Sequence, residues 1–542
     1  MTDVVTIPEL LTERARTLGN VTAIVSDDDA IGFDELDVRT FDRARRFVAA
    51  GMTRGTRVGL LAPNGIDWAV TALAVMRIGA VLVPLSTLLK PPELEAQLAV
   101  SAVAVLIATE EHRGRRYLDE LDAHRRGLVS MGTRTARHPA LPNLRRVWRC
   151  DALPEAPAPE ALVAALEAGV RPAHDLAVIF TSGSRGAPKG VIHTHGNAIR
   201  ATAAGLPVRC IGTGDRLYIP MPFFWMGGFG SGLLSMLVGG ATLLTETDPT
   251  PASTIRFLER ERATLFRGWP DQAAKIAAEP SFASADLRAL RAGSLDPVLP
   301  PELRSRPGAR ANLFGMTETF GPYCGSQLDT DLPAAAEGSC GRPFGAIEVR
   351  IVDADAPALR DGRDGRDAVG VDDAPLAAGE SGEIEVRGPN VMRGICGRLR
   401  SEVFTRDGWY PTGDLGRLDD AGYLFSEGRA DDMFKVSGAT VFPTEVEAGL
   451  RAVPFVRQAY VTDLADAEGR STVAALVIVT DEQPVGIAEV AIEAKARLSA
   501  YKIPKRWVLS TAIDAAPVTA TGKVDRDALR RLLRERGGEA AP

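Results

Sequence analysis

The chain has 542 residues, of which 45% are hydrophobic and 25% are charged. This length exceeds what one hydrophobic core ordinarily serves, so we expect at least two domains. A net charge of −7 without any basic tract argues against a nucleic-acid-binding protein. Five cysteines stand singly, which argues against a disulfide framework or a structural zinc site and suits the cytoplasm. We expect neither a signal peptide nor a membrane span.

The N-terminal part alternates between helical and strand patterns. Apolar residues recur with helical spacing in residues 8–20 and 35–51. Residues 64–86, NGIDWAVTALAVMRIGAVLVPLS, predict a helix followed by a buried strand. The Ala- and Pro-rich residues 152–173 predict a surface connection with a short helix. This alternation favours a layered α/β fold.

A glycine-rich loop follows the next predicted strand. The apolar run LAVIF at 176–180 leads into TSGSRGAPKG at 181–190. The loop does not fit the nucleotide P-loop, because Pro188 precedes Lys189 where that motif has glycine, and no Ser or Thr follows. The segment HTHGNAIRATAAG predicts a helix capped by Asn197. Strand, loop and helix in this order would aim backbone N–H groups at an anion, so we expect a phosphate-binding loop.

The C-terminal part has a different character. Residues 353–379 are rich in Asp, Gly and Ala and predict an exposed, mobile excursion. Residues 428–450 predict a strand and turn that enter a helix. The remaining residues, about ninety, include a predicted helix at 487–498 and suffice for a small second domain.

Five motifs, three of which contain a lysine, carry the functional information. Only eight of the 63 basic residues are lysines, so each lysine is informative where a compact point charge is needed. The motifs are TSGSRGAPKG (181–190), NLFGMTE (312–318), YPTGDLG (410–416), GRADDMFKVSG (428–438) and PVTATGK (517–523). In this order they resemble the adenylate-forming superfamily of acyl-CoA synthetases, nonribosomal-peptide adenylation domains and luciferases. The resemblance covers essentially the whole chain and is nearest to freestanding acyl-CoA ligases.

The resemblance implies an α/β fold with two domains. Residues 1–430 would form a large N-terminal domain of layered α/β sheets with a distorted β-barrel subdomain, and residues 431–542 a small mobile α+β domain. The implied activity joins a carboxylic acid to ATP in the presence of Mg²⁺, releases pyrophosphate and transfers the acyl group to CoA. The implied partners are therefore a small-molecule acid, ATP and CoA, and whether the chain forms a homodimer stays open.

The resemblance also implies which residues bind ATP. The loop at 181–190 would wrap the β- and γ-phosphates, Thr317 would bond the α-phosphate, and Phe314 would stack on adenine. Asp414 would accept both ribose hydroxyls, with Arg429 assisting. The implied nucleotide-binding set is Thr181, Ser182, Gly183, Ser184, Gly186, Lys189, Phe314, Gly315, Thr317, Asp414 and Arg429.

Catalysis in such an enzyme consists mostly of positioning and charge neutralisation. Lys523, on a mobile loop, would bridge the substrate carboxylate and the α-phosphate. Glu318, with Thr181, would hold Mg²⁺, a hard cation that prefers oxygen ligands. The implied catalytic set is Lys523, Thr317, Lys189 and Lys435.

The predicted acid pocket lies in MPFFWMGGFG at 221–230. Trp225 stands where amino-acid-activating relatives carry an aspartate, so a substrate ammonium would lack a partner and we exclude α-amino acids. A large indole with two glycines behind it favours a bulky or apolar acid, whether fatty, aromatic or polycyclic. The alternative is that these aromatics are core residues, Phe223 above all. The implied pocket residues are Phe224, Trp225, Met226, Gly227, Gly228 and Gly293.

Several features depart from the family pattern. Arg185 replaces the usual threonine of the phosphate loop, Thr440 stands where relatives often have a longer polar residue, and the 353–379 excursion is long. His193 and His195 are spaced like metal ligands. No third ligand cluster accompanies them and the expected ion prefers oxygen, so we do not expect a metal there.

The acceptor is the least determined part of the activity. CoA is the commonest acceptor for a freestanding chain of this family, with a hinge at Asp431 and with Ser437 and Gly438 lining the pantetheine tunnel. Two alternatives stay open: an adenylating enzyme that passes acyl-AMP to a carrier protein or partner enzyme, and a non-catalytic acyl- or nucleotide-binding protein. The intact set of motif residues argues against the second alternative.

Overall fold

The structure is a computed structural model that describes residues 6–124, 139–181, 188–353, 374–429, 434–436, 439–441, 443–466, 471–480, 485–495, 497–498, 502–519 and 524–539. It divides into two compact units. The first comprises Met1–Val349 and Val386–Tyr410, and the second comprises Arg350–Glu385 and Pro411–Pro542. The domain boundary that we predict at 430/431 falls within the second unit, beside residues that the structure does not describe, and it stays a prediction.

The described helices begin where the sequence supplies helix-start signals. Proline lies in the first turn of several of them, and the Thr250 hydroxyl accepts the Ser253 N–H at 3.2 Å in a capping box. The helices are α1 Ile7–Leu18, α2 Phe33–Ala49, α3 Ile66–Arg77, α4 Pro91–Val100, α5 Tyr117–His124, α6 Glu160–Ala168, α7 His195–Val208, α8 Met226–Gly228, α9 Ser235–Gly239, α10 Pro251–Arg260, α11 Pro270–Ala277, α12 Pro443–Arg451, α13 Ile487–Lys495 and α14 Arg526–Arg536.

The described strands are mostly short and apolar, as is typical of buried sheets. They are β1 Thr22–Ser26, β2 Asp29–Gly32, β3 Arg57–Leu61, β4 Val81–Pro84, β5 Val105–Ala108, β6 Arg146–Arg149, β7 Asp175–Thr181, β8 Lys189–Thr194, β9 Arg216–Tyr218, β10 Thr242–Thr245, β11 Leu265–Phe266, β12 Phe314–Met316, β13 Gly321–Gly325, β14 Arg342–Pro343, β15 Glu348–Val352, β16 Gly382–Arg387, β17 Gly394–Ile395, β18 Tyr410–Leu418, β19 Leu424–Arg429, β20 Phe434–Val436, β21 Ala439–Val441, β22 Val456–Ala465, β23 Ser471–Val479, β24 Arg506–Ser510 and β25 Gly538–Glu539.

The first unit contains three sheets. One has the order β17-β8-β7-β4-β3-β5-β6, with β6, β5, β3, β4 and β7 parallel. A second has the order β11-β9-β10-β1-β2, in which all neighbouring pairs are parallel except the antiparallel pair of β1 and β2. The third, β12-β13-β14, is antiparallel. Helix α3 is buried at every residue except Asp67 and contacts strands of both large sheets, because a helix that is apolar on nearly all sides must be covered on those sides. The layered α/β fold is therefore confirmed.

The glycine-rich loop lies in a different context from the one we predicted. It connects β7 to β8, which pair antiparallel with Thr181 opposite Lys189, so a strand and not a helix follows the loop. The helix starts later, and Thr194 is its N-cap, with Asn197 as the third helical residue of a capping box. Our assignment of Asn197 as the cap was wrong, because the helix already begins at His195, directly after β8, with the Thr194 hydroxyl accepting the Asn197 N–H. The N–H groups of His195 and Gly196 are bonded to the carbonyls of His174 and Pro172.

The second unit is built around a four-stranded sheet, β15-β16-β18-β19, a two-stranded sheet, β20-β21, and a second four-stranded sheet, β22-β23-β24-β25. Helices α12 and α14 contact β22, and Trp507 on β24 is fully buried. Where we predicted a distorted barrel, the described strands form separate open sheets and no closed barrel. None of the described helices has the length and apolar character needed to cross a membrane.

Candidate active site

Three side chains from distant parts of the first unit meet at the start of β8, the strand that follows the predicted phosphate loop in the sequence. Lys189 leads β8, Glu318 lies in a short helical turn at Thr317–Thr319, and Tyr410 begins β18. The Lys189 ammonium lies 2.5 Å from Glu318 Oε1 and donates to the Tyr410 hydroxyl at 2.9 Å. The Tyr410 hydroxyl donates to Glu318 Oε1 at 3.2 Å. We call these three residues the phosphate-side cluster.

Glu318 stays ionised within this cluster although its side chain is only 7% exposed. Burial by itself raises the pKa of a carboxyl group. Here the charge of Lys189, its hydrogen bond and the Tyr410 hydroxyl outweigh burial and lower the pKa of Glu318 below its usual value. A buried anion and a partly exposed cation are thus held next to each other at the start of β8.

His193 supports the backbone of the Thr317–Thr319 turn. Its Nε2–H donates to the Thr317 carbonyl at 2.8 Å, and its Nδ1 accepts from Asn197 Nδ2 at 2.7 Å. Burial lowers the pKa of His193 to about 4, so the ring is neutral at physiological pH. Its ring also packs edge-on against Phe320. His193 is therefore a positioning residue for Thr317 and Glu318.

A strap of chain at Asn390–Met392 closes the other side of the turn. The Met392 N–H donates to the Glu318 carbonyl at 2.7 Å, and Asn197 Nδ2 also approaches the Asn390 carbonyl at 3.3 Å. The backbone on both sides of Glu318 is thus fixed by groups far away in sequence. Sequence reasoning missed His193, Asn197 and Tyr410 in these roles, although Tyr410 opens one of the quoted motifs.

Phe314 and Gly315 lie on β12, directly before the Thr317–Thr319 turn that carries Glu318. The Phe314 ring is half-buried and packs edge-on against Tyr323 at 5.7 Å between centroids. A Cβ on Gly315 would lie 2.3 Å from the Gly321 carbonyl oxygen, so this position requires glycine because the neighbouring strand approaches closely.

The predicted acid-pocket segment follows β9 and is fixed by Asn64. Its side chain accepts the Phe223 N–H at 2.7 Å and donates to the Met221 carbonyl at 3.1 Å. Phe223 is fully buried against Trp68, as the core alternative predicted for it. Sequence reasoning did not identify Asn64, whose role depends on a contact across more than 150 residues.

Trp225 is only half-buried and differs from Phe223 in this respect. Its ring lies edge-on to Phe224 at 5.4 Å and to Trp269 at 5.8 Å. Trp269 follows β11, and β9 and β11 are parallel neighbours, so both tryptophans leave the sheet at the same edge. Met226, half-buried like Trp225, follows as the first residue of α8.

The glycines of this segment have a packing reason of their own. A Cβ on Gly228 would lie 2.2 Å from the Pro222 carbonyl oxygen, and one on Gly227 would meet the flexible Met221 side chain. Gly293 has a φ of +92°, and a Cβ there would lie 3.4 Å from Arg267 Nη2. Gly228 is therefore needed by the backbone turn itself, whatever space it leaves for a substrate.

The second unit carries the predicted ribose-binding pair. Asp414 on β18 lies opposite Arg429 on β19, and Arg429 Nη1 lies 3.0 Å from Asp414 Oδ1. The Gly413 N–H donates to Glu383 at 3.1 Å, and the Asp414 N–H donates to the Thr412 hydroxyl at 3.0 Å. These bonds hold the strand that presents Asp414.

Several predicted residues lie outside the described residues. They are Ser182, Gly183, Ser184, Arg185 and Gly186 of the loop, Asp431, Ser437 and Gly438 of the predicted hinge and tunnel, and the catalytic candidate Lys523. The backbone of Lys435 lies in β20, but its side chain and that of Thr440 are not described. Their assigned roles stay predictions.

The ionised carboxylate of Glu318 is suited to the Mg²⁺ role that we predict for it together with Thr181. Mg²⁺ in nucleotide enzymes is usually held by one or two carboxylates together with substrate phosphates, and a protein cage is not needed. Glu318 supplies one ionised, buried carboxylate, and the described residues contain no group of three or more His, Cys, Asp or Glu suited to a metal. His193 and His195 are both fully buried, with His193 engaged on Thr317 and Asn197.

Comparison with known proteins finds relatives that align with nearly the whole chain. A feruloyl-CoA synthase of Amycolatopsis sp is 32% identical over 526 residues, which is 96% of this chain and 97% of that protein. The 3-[(3aS,4S,7aS)-7a-methyl-1,5-dioxo-octahydro-1H-inden-4-yl]propanoyl:CoA ligase of Mycobacterium tuberculosis is 29% identical over 549 residues, covering 98% and 99%.

The solved structures agree with the fold. The anthranilate CoA ligase AuaEII in complex with anthranoyl-AMP has a TM-score of 0.77 at 22% identity, covering 98% of each chain. The family model described as AMP-binding enzyme matches residues 11–396. Because this match spans most of the chain and the relatives align over nearly their whole length, the chain belongs to the AMP-binding enzyme family.

Proposed function

We propose that this protein is an ATP-dependent acyl-CoA ligase for a bulky or apolar carboxylic acid. The substrate carboxylate attacks the α-phosphorus of ATP, which forms acyl-AMP and expels pyrophosphate. The CoA thiol then attacks the acyl carbonyl, which forms the thioester and expels AMP. The proposal is supported by full-length relatives named as CoA ligases for ferulate and for a bicyclic dioxo acid.

The observation that carries the proposal is the phosphate-side cluster. Lys189 has a side chain that is 25% exposed, and its ammonium is already placed beside the phosphate loop. On arrival of ATP, we propose that it exchanges its contact with Glu318 for phosphate oxygens, which are stronger charge partners. Glu318 is then available, with Thr181, as a ligand for Mg²⁺, which would neutralise charge on the phosphates.

The remaining roles follow from the family resemblance and stay proposals. Thr317, whose backbone His193 holds, would bond the α-phosphate, and Phe314 would stack on adenine. Asp414 would accept the ribose hydroxyls while Arg429 keeps its carboxylate oriented at 3.0 Å. Lys523 would neutralise the charge that develops between carboxylate and α-phosphate.

The later steps involve the C-terminal residues. Asp431 would be the hinge between the two half-reactions, Ser437 and Gly438 would line the path of the CoA thiol, and Lys435 completes the proposed catalytic set. We place the reaction in the cytoplasm, where ATP and CoA are available and unpaired thiols persist.

The decisive experiment is acid-dependent ATP–pyrophosphate exchange over a library of carboxylic acids, followed by mass detection of acyl-CoA. Exchange together with an acyl-CoA product is the expected result. Exchange without acyl-CoA would instead indicate a carrier protein or partner enzyme as acceptor. Absence of exchange with every acid would overturn the proposal.

Lys189→Met tests the proposed site, and Lys275→Met is the matched control variant. Lys275 is an exposed lysine on α11, away from the phosphate-side cluster. We expect Lys189→Met to abolish most of the exchange activity and Lys275→Met to retain it. Equal activities in the two variants would show that Lys189 does not take part in the reaction.

A further inference from the structure

Arg267 and its neighbour Arg209, both in the first unit, form no ion pair with any described carboxylate. Arg267 follows β11 and is half-buried, and its Nε is fully buried without a hydrogen-bond partner in the described part of the chain. Its Nη2 donates to the Arg209 carbonyl at 2.5 Å. Burial lowers the pKa of Arg267 to about 10, so the guanidinium is still charged at physiological pH. A buried cation of this kind is costly unless a partner is provided.

The nearby carboxylate is already occupied. Asp215 accepts from Arg291 through both oxygens, at 3.1 and 2.8 Å, and from the Thr264 hydroxyl at 2.8 Å. Among the described residues no carboxylate lies within ion-pair distance of Arg267. Arg209, which is buried, adds a second positive charge, and its hydrogen bonds within the described part of the chain go to backbone carbonyls, including that of Ser231 at 3.2 Å. This corner of the first unit therefore carries more positive than negative charge.

The same corner adjoins residues of the predicted acid pocket. Arg267 and Trp269 leave the sheet at the edge where Trp225 leaves it, and the two indoles are in contact. Arg267 Nη2 lies 3.4 Å from where a Cβ of Gly293 would be. Arg209 reaches the carbonyl of Ser231, in the helix that continues the pocket segment. The Arg267 guanidinium thus lies beside the aromatic residues of the predicted pocket, and its Nε has no hydrogen-bond partner among the described residues.

We infer that Arg267 recognises a second oxygen function at the far end of the substrate acid, either a carbonyl or a second carboxylate. This inference rests on the proposed function, and it narrows the substrate class from an apolar acid to an apolar acid with a distal oxygen acceptor. An acid without that oxygen would leave the buried donors of Arg267 unpaired, and such mismatches discriminate strongly between substrates.

The test uses three acids of similar shape: para-acetylphenyl-, para-carboxyphenyl- and para-isopropylphenyl-propanoic acid, each with shorter and longer side-chain homologues. The wild-type enzyme should prefer the acetyl or carboxy member over the isopropyl member in kcat/KM for pyrophosphate exchange by about 10- to 100-fold. Whichever of the acetyl and carboxy acids has the higher kcat/KM identifies whether a carbonyl or a carboxylate is recognised.

Arg267→Met should remove this preference, mainly through KM, and should leave or improve activity on the isopropyl acid. Arg256→Met is the matched control, since Arg256 is an exposed arginine on α10, and it should keep the wild-type preference. If Arg267→Met does not fold, Arg267→Lys keeps the charge with fewer donors and should weaken the preference for the acetyl acid more than for the carboxy acid.

Two results would overturn the inference while leaving the proposed function intact. One is a wild-type enzyme that uses the isopropyl acid as well as the others, and the other is a folded Arg267→Met variant that loses activity on all three acids equally. Thermal stabilisation by each acid without ATP provides a readout that does not depend on turnover. Stabilisation by oxygen-bearing acids that disappears in Arg267→Met supports the inference even if exchange fails with every acid.

Discussion

The phosphate side and the acid side of the first unit differ in how their buried charges are balanced. Glu318 is met by Lys189 and Tyr410, and its backbone is fixed by His193 and Met392. Arg267, in contrast, keeps a buried Nε without a partner in the described residues. In the first arrangement the charge of Glu318 is paired with that of Lys189 before any ligand binds. Lys189 can then exchange Glu318 for phosphate oxygens. The second is unbalanced, and this imbalance is the basis of our inference about a distal oxygen on the substrate acid.

This difference also explains why the sequence predicts one side better than the other. The phosphate side is carried by contiguous motifs in which lysine is rare, so Lys189 was conspicuous. Arginine is the common cation of this chain, so Arg267 was not conspicuous among the others. Its isolation depends on Asp215 being occupied by Arg291, which only the folded chain reveals.

The largest effect that we predict concerns Lys523. Lys523→Ala should lower adenylation by about 10²–10³ while the fold stays intact, because a positioned charged donor acts mainly on the transition state. The measurement is pyrophosphate exchange, with circular dichroism as the control for folding. Near-wild-type exchange would show that Lys523 does not take part in adenylation.

Asp431→Pro tests whether the two half-reactions need separate conformations. Proline fixes φ and would stiffen the proposed hinge, so thioester formation should fall at least about tenfold while exchange is spared. Single-turnover measurement of acyl-AMP and acyl-CoA separates the two steps. Equal losses in both steps, in a folded variant, would argue against a hinge at this position.

Trp225→Ala tests the wall of the acid side. Removing the indole opens volume and takes away apolar contact, each buried CH₂ being worth about 0.8 kcal/mol. Smaller good substrates should lose binding severalfold, whereas larger ring or long-chain acids should be tolerated or favoured. The measurement is kcat/KM across an acid series, and an unchanged rank order would show that Trp225 is a core residue like Phe223.

The smallest effect is on stability and comes from His193. Its pKa is about 4 in the folded chain because of burial. In the unfolded chain the pKa of this histidine is about 6.5. Between these two values acidification therefore favours unfolding, by about 1 kcal/mol at about pH 5.5.

His193→Gln retains a side-chain donor for the Thr317 carbonyl but does not titrate. Its thermal stability should fall less steeply than that of the wild type as the pH drops from about 7 to about 5. Parallel curves for the two proteins would show that His193 is not held neutral by burial.

Part of the fold followed from local pattern. The helix and strand at 64–86 were predicted correctly, as α3 and β4, because a uniformly apolar segment has few alternatives to burial. Strand β8 was missed, because KGVIHT is short and we assigned the residues after the loop to the helix. The role of Asn197 changed with it, from cap to partner of His193.

The central claim is that the two sides act on different substrates, and Lys189→Met and Arg267→Met test it most directly together. For each variant, KM for ATP and the rank order of acids are measured in the same exchange assay. The account predicts that Lys189→Met raises KM for ATP and keeps the acid rank order, whereas Arg267→Met keeps KM for ATP and changes the rank order. Variants that shift both quantities alike, with both proteins folded, would contradict it.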